Sequence, residues 1–494
     1  MASNRRVKSV EESIRDTDEP EHRLTKSLSA LDLTVFGVSV VIGAGIFVVT
    51  GVVAQEQAGP AVAVSFLIAG VVCALAALCY AEFASTVPVA GSAYTFSYAT
   101  FGELVAWIIG WDLVLEFSIG AAAVSSSWSG YLAQLLDDVG WTAPGWLSGE
   151  GAVNVPAMVL ALAMTGVLVL GIRVSSRFNA VVVAIKVAVV LLVVAVGVFY
   201  LQADNYTPFV PPAQPADPSD SGLDAPLIQT LFGIVPSTFG WGGVIAGAAI
   251  VFFAFIGFDI VATAAEETRD PKRDVPRGIL GSLAICTVLY IAVSLVVVGM
   301  QEHTELNPDA PLAGAFSAAG LPVFATIISA GALIGLTSVV MILMLGQSRV
   351  LFAMSRDRLL PPWFAAVHPR YGTPYRITIA TGLLVTVLAG FVPLGELAEL
   401  VNIGTLAAFL LVSIGVIVLR RTRPDLPRAF RVPLMPVLPL VSAAACLWLM
   451  GNLPGDTWLR FLAWMALGFV VYAVYGRRHS RLAEGADRAD AAAR

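Results

Sequence analysis

The stretch VIGAGIF, Val41 to Phe47, lies in the middle of an apolar run long enough to cross a bilayer, and it carries two glycines two residues apart. A membrane helix hides its own backbone polar groups, and each group left unpaired in hydrocarbon costs on the order of several kcal/mol. A sequence that invites unwinding at mid-membrane must therefore offer those groups another partner. Glycines in membrane helices also simply allow close helix packing, so a second observation has to decide between the two readings.

Composition sets the frame. Of the 494 residues, 57% are hydrophobic and 13% charged, and the mean hydropathy is +0.82. One soluble domain, with its apolar residues divided between core and surface, is excluded. The chain reads as an all-α polytopic membrane protein whose partners include the lipid bilayer, with no nucleic acid. Cys73, Cys79, Cys286 and Cys446 all lie inside apolar runs without metal-ligand spacing, so they read as small core residues, and neither a metal site nor a cofactor is expected.

Apolar windows of about 20 residues fall near 31–53, 61–84, 101–133, 153–171, 178–200, 243–266, 276–300, 321–348, 374–393, 396–420, 433–451 and 457–476. This predicts twelve transmembrane helices. The first thirty residues are polar and lack the apolar core of a signal peptide, so both termini are expected in the cytoplasm. The distribution of Lys and Arg tests that arrangement. The cytoplasmic segments hold six before span 1, two between spans 4 and 5, four between 6 and 7, five between 8 and 9, five between 10 and 11, and five in the tail. That is 27 of the 29 present, leaving Arg460 and Lys186 as exceptions. The expected organisation is a cytoplasmic N-terminal segment 1–30, helices 1–5 over 31–200, an extracellular loop 201–242, helices 6–10 over 243–420, helices 11–12 over 421–476 and a cytoplasmic tail 477–494. The loop is rich in Pro, Asp and Ser and reads as surface linker; the tail reads as disordered.

A second interruption lies in span 6. In AGAAIVFFAFIGFDIVATAAEE a lone Gly257 sits among bulky aromatics, followed by Asp259. At 1.5 Å per residue, Gly43 is roughly 18 Å from the start of span 1 and Ala254 roughly 16 Å from the start of span 6. Both interruptions therefore fall near the midplane, in spans five apart and of opposite direction, as a 5+5 inverted repeat with discontinuous helices 1 and 6 requires. Two additional helices complete the twelve.

An interrupted helix pair has a definite chemistry. The second half of span 1 presents free N–H groups near Gly43, Ala44 and Gly45, and its dipole favours a carboxylate. The first half of span 6 ends in free carbonyls near Phe253, Ala254 and Ile256, which suit an ammonium. Together they describe the head group of an L-amino acid, and the glycines let its carboxylate approach the backbone.

These residues carry a resemblance. GAGIFVVTG in span 1, YAEFASTVPVAGSAYTFSY before span 3, GWDLVLEF within it, FFAFIGFDIVATAAEETRDPKRDVPRGI through span 6, GQSRVLFAMSRDRLLP after span 8 and LAELVNIGTLAAFLLVSIGVIVLR in span 10 resemble the amino acid-polyamine-organocation superfamily. Within it, the chain is most similar to prokaryotic members of the cationic amino acid transporter family, from about residue 24 to about residue 435. The resemblance implies that the substrate carboxylate rests on Gly43, Ala44 and Gly45, that the amino group meets carbonyls of Ile42, Phe253 and Ile256, and that Phe255 forms part of an outer gate. Where relatives can carry Ser or Thr, this chain has Ala44, so the carboxylate loses a hydroxyl donor.

Lys186, in VVVAIKVAVV of span 5, lies about 12 Å along its helix, and an ammonium there costs at least ~2.5 kcal/mol. It either has a partner, loses its proton, or snorkels to the interface. In similar proton-coupled transporters a lysine of this span stands where sodium binds in sodium-coupled relatives, donating to span 1 carbonyls, which implies a proton carrier. Glu116 and Asp112 of span 3 share a helix face. Glu116 could select cationic side chains, reach the pocket through water, or satisfy a neighbouring polar group. Asp259 is placed to cap the second half of span 6. Met341, Met344 and Leu345 of span 8 are side-chain-pocket candidates, the alternative being a packing stripe. Glu82, Glu266, Glu267 and the RDPKRD run are either an inner-gate network or solvated charge.

The expected function is a secondary active amino acid transporter, a proton-coupled symporter of L-amino acids working by alternating access across the cytoplasmic membrane. An amino acid exchanger and a non-transporting sensor are the alternatives. No enzymatic constellation of nucleophile and base appears at depth.

Overall fold

The structure is a computed structural model that describes residues 28–86, 94, 98, 102–141, 153–171, 176–215, 222–233 and 237–480, without the side chains of 176–179, 237, 263 and 265–267. Most of the N-terminal segment, the tail beyond 480, the stretches 216–221 and 234–236 of the long loop, and the side chains of Glu266 and Glu267 thus lie outside the described residues.

The described chain is almost entirely helical. Twelve principal helices are α1 (Ala30–Val41), α2 (Val62–Thr86), α3 (Glu103–Asp138), α4 (Val155–Val169), α5 (Ser176–Gly197), α6 (Gly240–Val251), α7 (Pro271–Met300), α8 (Pro322–Arg356), α9 (Tyr375–Phe391), α10 (Leu394–Thr422), α11 (Val437–Gly451) and α12 (Gly455–Val471). Each apolar window read from the sequence falls on one of them. Among the described residues, eight helical stretches are long and apolar enough to cross a membrane, and α1, α4, α9 and α11 are shorter apolar helices. The reason α1 is short is the interruption itself. Ser29 starts it with a reciprocal cap to Asp32, and it stops at Val41, where Ile42 turns extended (φ −71°, ψ 95°).

Packing sorts the helices into two groups. In one, α7 lies against α1 and α2, and α6 against α2; in the other, α8 lies against α3, and α9 against α3 and α4. Between them, α5 touches α7 and α8, while α10 touches α2 and α3. The core follows from this arrangement: the most apolar window of Gly240–Ala262 is 83% buried, that of Gly455–His479 only 17%. The four cysteines are free and buried. In the long loop, Gln214–Pro215 pairs antiparallel with Ser237–Thr238.

Candidate substrate site

Span 1 resumes at Gly45 and runs to Ala58, with wide π-type turns at Gly45–Val49 and Ala54–Ala58. Ala44 gives this second half no side-chain cap, so its first N–H groups depend on something other than a hydroxyl. Span 6 is interrupted in a complementary way. After α6 a tight turn covers Phe252–Phe255, Ile256 is extended (φ −62°, ψ 138°), and tight helical turns resume over Asp259–Glu267. Gly257 joins the halves at φ +110°, and a Cβ there would stand 2.5 Å from Val40 Cγ1. Only glycine meets both demands.

The two breaks touch each other. A Cβ on Gly45 would overlap the backbone of Ala254, whereas one on Gly43 would sit 3.5 Å from Val339 of α8, an ordinary contact. Ile42, Gly43, Ala44, Gly45, Phe253, Ala254 and Phe255 are buried and Ile256 is half-buried. The sequence-predicted residues of spans 1 and 6 are thus brought together on the facing ends of two half-helices.

A helix that stops inside a bundle leaves its last carbonyls without partners; here three other helices supply donors to such carbonyls and a fourth reaches the resumed half of span 1. Lys186 Nζ of α5 donates to Ser39 O (2.7 Å). The Tyr290 hydroxyl of α7 lies 2.6 Å from Val41 O and 2.9 Å from Ala254 O. Tyr131 of α3 donates to Phe47 O (2.7 Å). Asn402 Nδ2 of α10 donates to Ala249 O (2.9 Å) and Ile250 O (3.0 Å). Of these, the sequence reading named only Lys186. Tyr131, Tyr290 and Asn402 were legible in principle, since a buried phenol or amide in an apolar helix needs a partner.

The other expected residues are distributed around this centre. Phe255 packs edge-on to Phe66 (centroids 6.4 Å) and tilted against Tyr290 (5.3 Å). Glu116 is buried beside Thr405 of α10, within electrostatic range of Asp112 and Asp259. Glu116 Oε1, Asp259 Oδ1 and both carboxyl oxygens of Asp112 have no hydrogen-bond partner among the described residues. The Asp259 carboxyl lies against the backbone N–H of Ile260, at the start of the second half of span 6. Met341 is not brought to the break: it is half-buried, and about 200° around α8 from Val339, which is the residue that faces Gly43. Met344 is buried and Leu345 exposed.

At the arginine-rich end of α10 a second polar cluster forms. Glu82 of α2, fully buried, accepts from Arg420 Nε (2.7 Å) and Nη2 (2.5 Å) and from the Val432 N–H (2.6 Å), with Arg428 Nε 3.5 Å away. The partners of Glu82 therefore come from α10 and the segment after it rather than from the RDPKRD run. No group of three or more His, Cys, Asp or Glu suited to a metal ion occurs among the described residues.

Comparison with known proteins identifies the family. The amino acid permease family profile matches residues 28–473. A methylthioribose transporter of Bacillus subtilis (strain 168) is 48% identical over 93% of this chain and 95% of its own length. The branched-chain amino acid permease BcaP of the same organism is 45% identical over 97% and 98%. A vacuolar cationic amino acid transporter 4 of Arabidopsis thaliana is 41% identical over 82% of this chain and 65% of its own. All are transporters and none is an enzyme. The chain belongs to the amino acid permease family, within the amino acid-polyamine-organocation superfamily.

Proposed function

We propose that this permease is a secondary active transporter of L-amino acids in the cell membrane, coupled to proton symport. In this reading the chain crosses the membrane twelve times with both termini in the cytoplasm, as a 5+5 inverted repeat over 31–200 and 243–420 followed by two further helices. The observation that carries it is the contact of Gly45 with Ala254, which sets the N-terminal end of one half-helix against the C-terminal end of another. An α-carboxylate then meets the N–H groups of Gly43, Ala44 and Gly45, favoured by the positive end of the helix dipole. The α-ammonium meets the carbonyls of Ile42, Phe253, Ala254 and Ile256. Phe255 closes over the bound substrate, and Glu116 acts at the edge of the pocket.

The packing into two groups supports alternating access by movement of α1, α2, α6 and α7 against α3, α4, α8 and α9. Lys186 supplies the coupling. Protonated, it ties α5 to the carbonyl end of α1; on releasing its proton to the cytoplasm it loosens that tie and lets substrate leave. Exchange of one amino acid for another and sensing without transport use the same site and differ in whether net flux occurs. Uptake of radiolabelled amino acids into proteoliposomes, with and without an inward proton gradient, separates the three: symport requires accumulation that collapses with the gradient.

The 48% identity to a methylthioribose transporter supports a second reading, carriage of that thiosugar. Methylthioribose has neither an α-carboxylate nor an α-ammonium, so the paired half-helix ends favour the amino acid. Competition by methylthioribose against amino acid uptake decides between them.

A further inference from the structure

The two interruptions are held at defined points by side chains whose hydrogen bonds go to backbone carbonyls. Asn402, fully buried, reaches from α10 to Ala249 O and Ile250 O, carbonyls of the last turn of α6. Each of its two amide protons therefore finds an acceptor where the helix runs out, which fixes the residue at which α6 gives way to the tight turn Phe252–Phe255.

Tyr290 acts at the other end of that turn and also on span 1. Its hydroxyl stands between Ala254 O and Val41 O, at 2.9 Å and 2.6 Å. A phenol has one proton to donate, so two carbonyls from two different half-helices share a single donor. The ring cannot drift away from them: it is fully buried and packed against Phe66 (centroids 5.6 Å) and Phe255 (5.3 Å). Its parent helix α7 is unbroken over Pro271–Met300, a continuous reference against which two broken helices are aligned.

We infer that Tyr290 is a positioning residue that registers the span 1 break against the span 6 break, with Asn402 fixing where the latter begins. Together they make the carbonyls of Ile42 and of Phe253 to Ile256 converge on one ammonium. The inference rests on the amino acid reading above. Tyr290 and Asn402 act through the backbone, so their loss loosens the convergence without deleting any group that binds substrate.

The test uses full-length protein in proteoliposomes, with whichever of radiolabelled alanine, leucine and arginine the wild type takes up. KM and Vmax are measured for wild type, Tyr290→Phe and Asn402→Leu, together with inhibition by the N-methyl derivative of the same amino acid. Each variant is expected to raise KM about five- to tenfold, as loss of one hydrogen bond implies. Discrimination against the N-methylated compound should fall in parallel, and Vmax per folded transporter should stay within about twofold of wild type. If the side chains merely pack, Vmax drops with the amount of folded protein while KM and discrimination stay put, and the inference is overturned. Should Tyr290→Phe not survive extraction into detergent, 3-fluorotyrosine at position 290 keeps the hydroxyl and strengthens it as a donor; an unchanged KM there also overturns the inference. A wild type that takes up no amino acid at all refutes the transport reading instead, so the two failures are distinct.

Discussion

The Lys186 ammonium donates to the carbonyl oxygen of Ser39 across 2.7 Å, from α5 to the last turn of α1. Its stem runs along Gly335 of α8, where a Cβ would stand 3.0 Å from Lys186 Cγ. One buried lysine thereby joins three helices beside the span 1 break. On the proposed reading, this ammonium stands where sodium binds in sodium-coupled relatives, so uptake is expected to be independent of sodium and to rise as the outside is acidified. Lys186→Ala should lose accumulation driven by a proton gradient and keep counterflow, because the substrate site itself is intact. If the variant still concentrates amino acid with an unchanged pH profile, the proton travels on another group, with Glu116 the next to test.

The two glycines of span 1 should respond differently to the same small change. A Cβ on Gly45 runs into the backbone of Ala254, which cannot be moved without parting the two breaks, whereas Gly43 has ordinary van der Waals room against Val339. Gly45→Ala is expected to abolish uptake and binding of every substrate. Gly43→Ala should lower affinity by less than about tenfold, the worth of one hydrogen bond, and only a branched side chain such as Val should stop it. Equal loss of binding in the two alanine variants, followed by scintillation proximity, would show that the breaks do not meet as described.

Much of this site was legible because backbone accounting is so strict in hydrocarbon. Two glycines in VIGAGIF and one in FAFIGFD were enough to locate both interruptions, and the spacing of Lys186 placed it at depth. The donors Tyr131, Tyr290 and Asn402 were not found, because a tyrosine or asparagine in an apolar helix announces that it needs a partner without saying which carbonyl it reaches. Met341 shows the converse limit. Apolar span 8 carries hydrophobic residues on every side, so periodicity could not tell that Val339, two residues earlier, faces Gly43. Glu82 was read as either part of a salt-bridge network or solvated charge; it is fully buried, and its partner lies 338 positions away in sequence, so nothing local points to Arg420.

A histidine offers the control for proton coupling. His303 lies in the short turn His303–Glu305 between α7 and α8, edge-on to Phe239 at 5.8 Å, and burial pushes its imidazole below the ordinary value. A lowered value means that His303 takes up its proton at a more acid pH than an ordinary imidazole. His303→Gln is therefore expected to leave the rise of uptake on mild acidification from neutral pH unchanged. Loss of that dependence in the variant would make His303, rather than Lys186, the titrating group.

The clasp at the arginine-rich end should have to open in each cycle. Glu82 belongs to α2, which packs with α6 and α7, while Arg420 belongs to α10, which also leans on α3. The Glu82 carboxylate is fully buried and faces two guanidiniums, Arg420 and Arg428. Removing the charge with Glu82→Gln leaves those cations without their counter-ion, at a cost on the order of 3–5 kcal/mol, so the melting temperature in detergent should fall. Beside the ion cluster, the Phe430 N–H donates to Ser85 Oγ at 3.3 Å, which brings the chain after α10 against the end of α2. Cysteines at positions 85 and 430 can be oxidised to lock that contact, and the four native cysteines are buried, so wild type serves as the oxidant control. If α2 moves away from α10 at this end, uptake by the Ser85→Cys/Phe430→Cys protein stops on oxidation and returns on reduction. Undiminished turnover by a protein whose cross-link is confirmed on a non-reducing gel would mean that α2 and α10 travel together, and that the movement lies elsewhere.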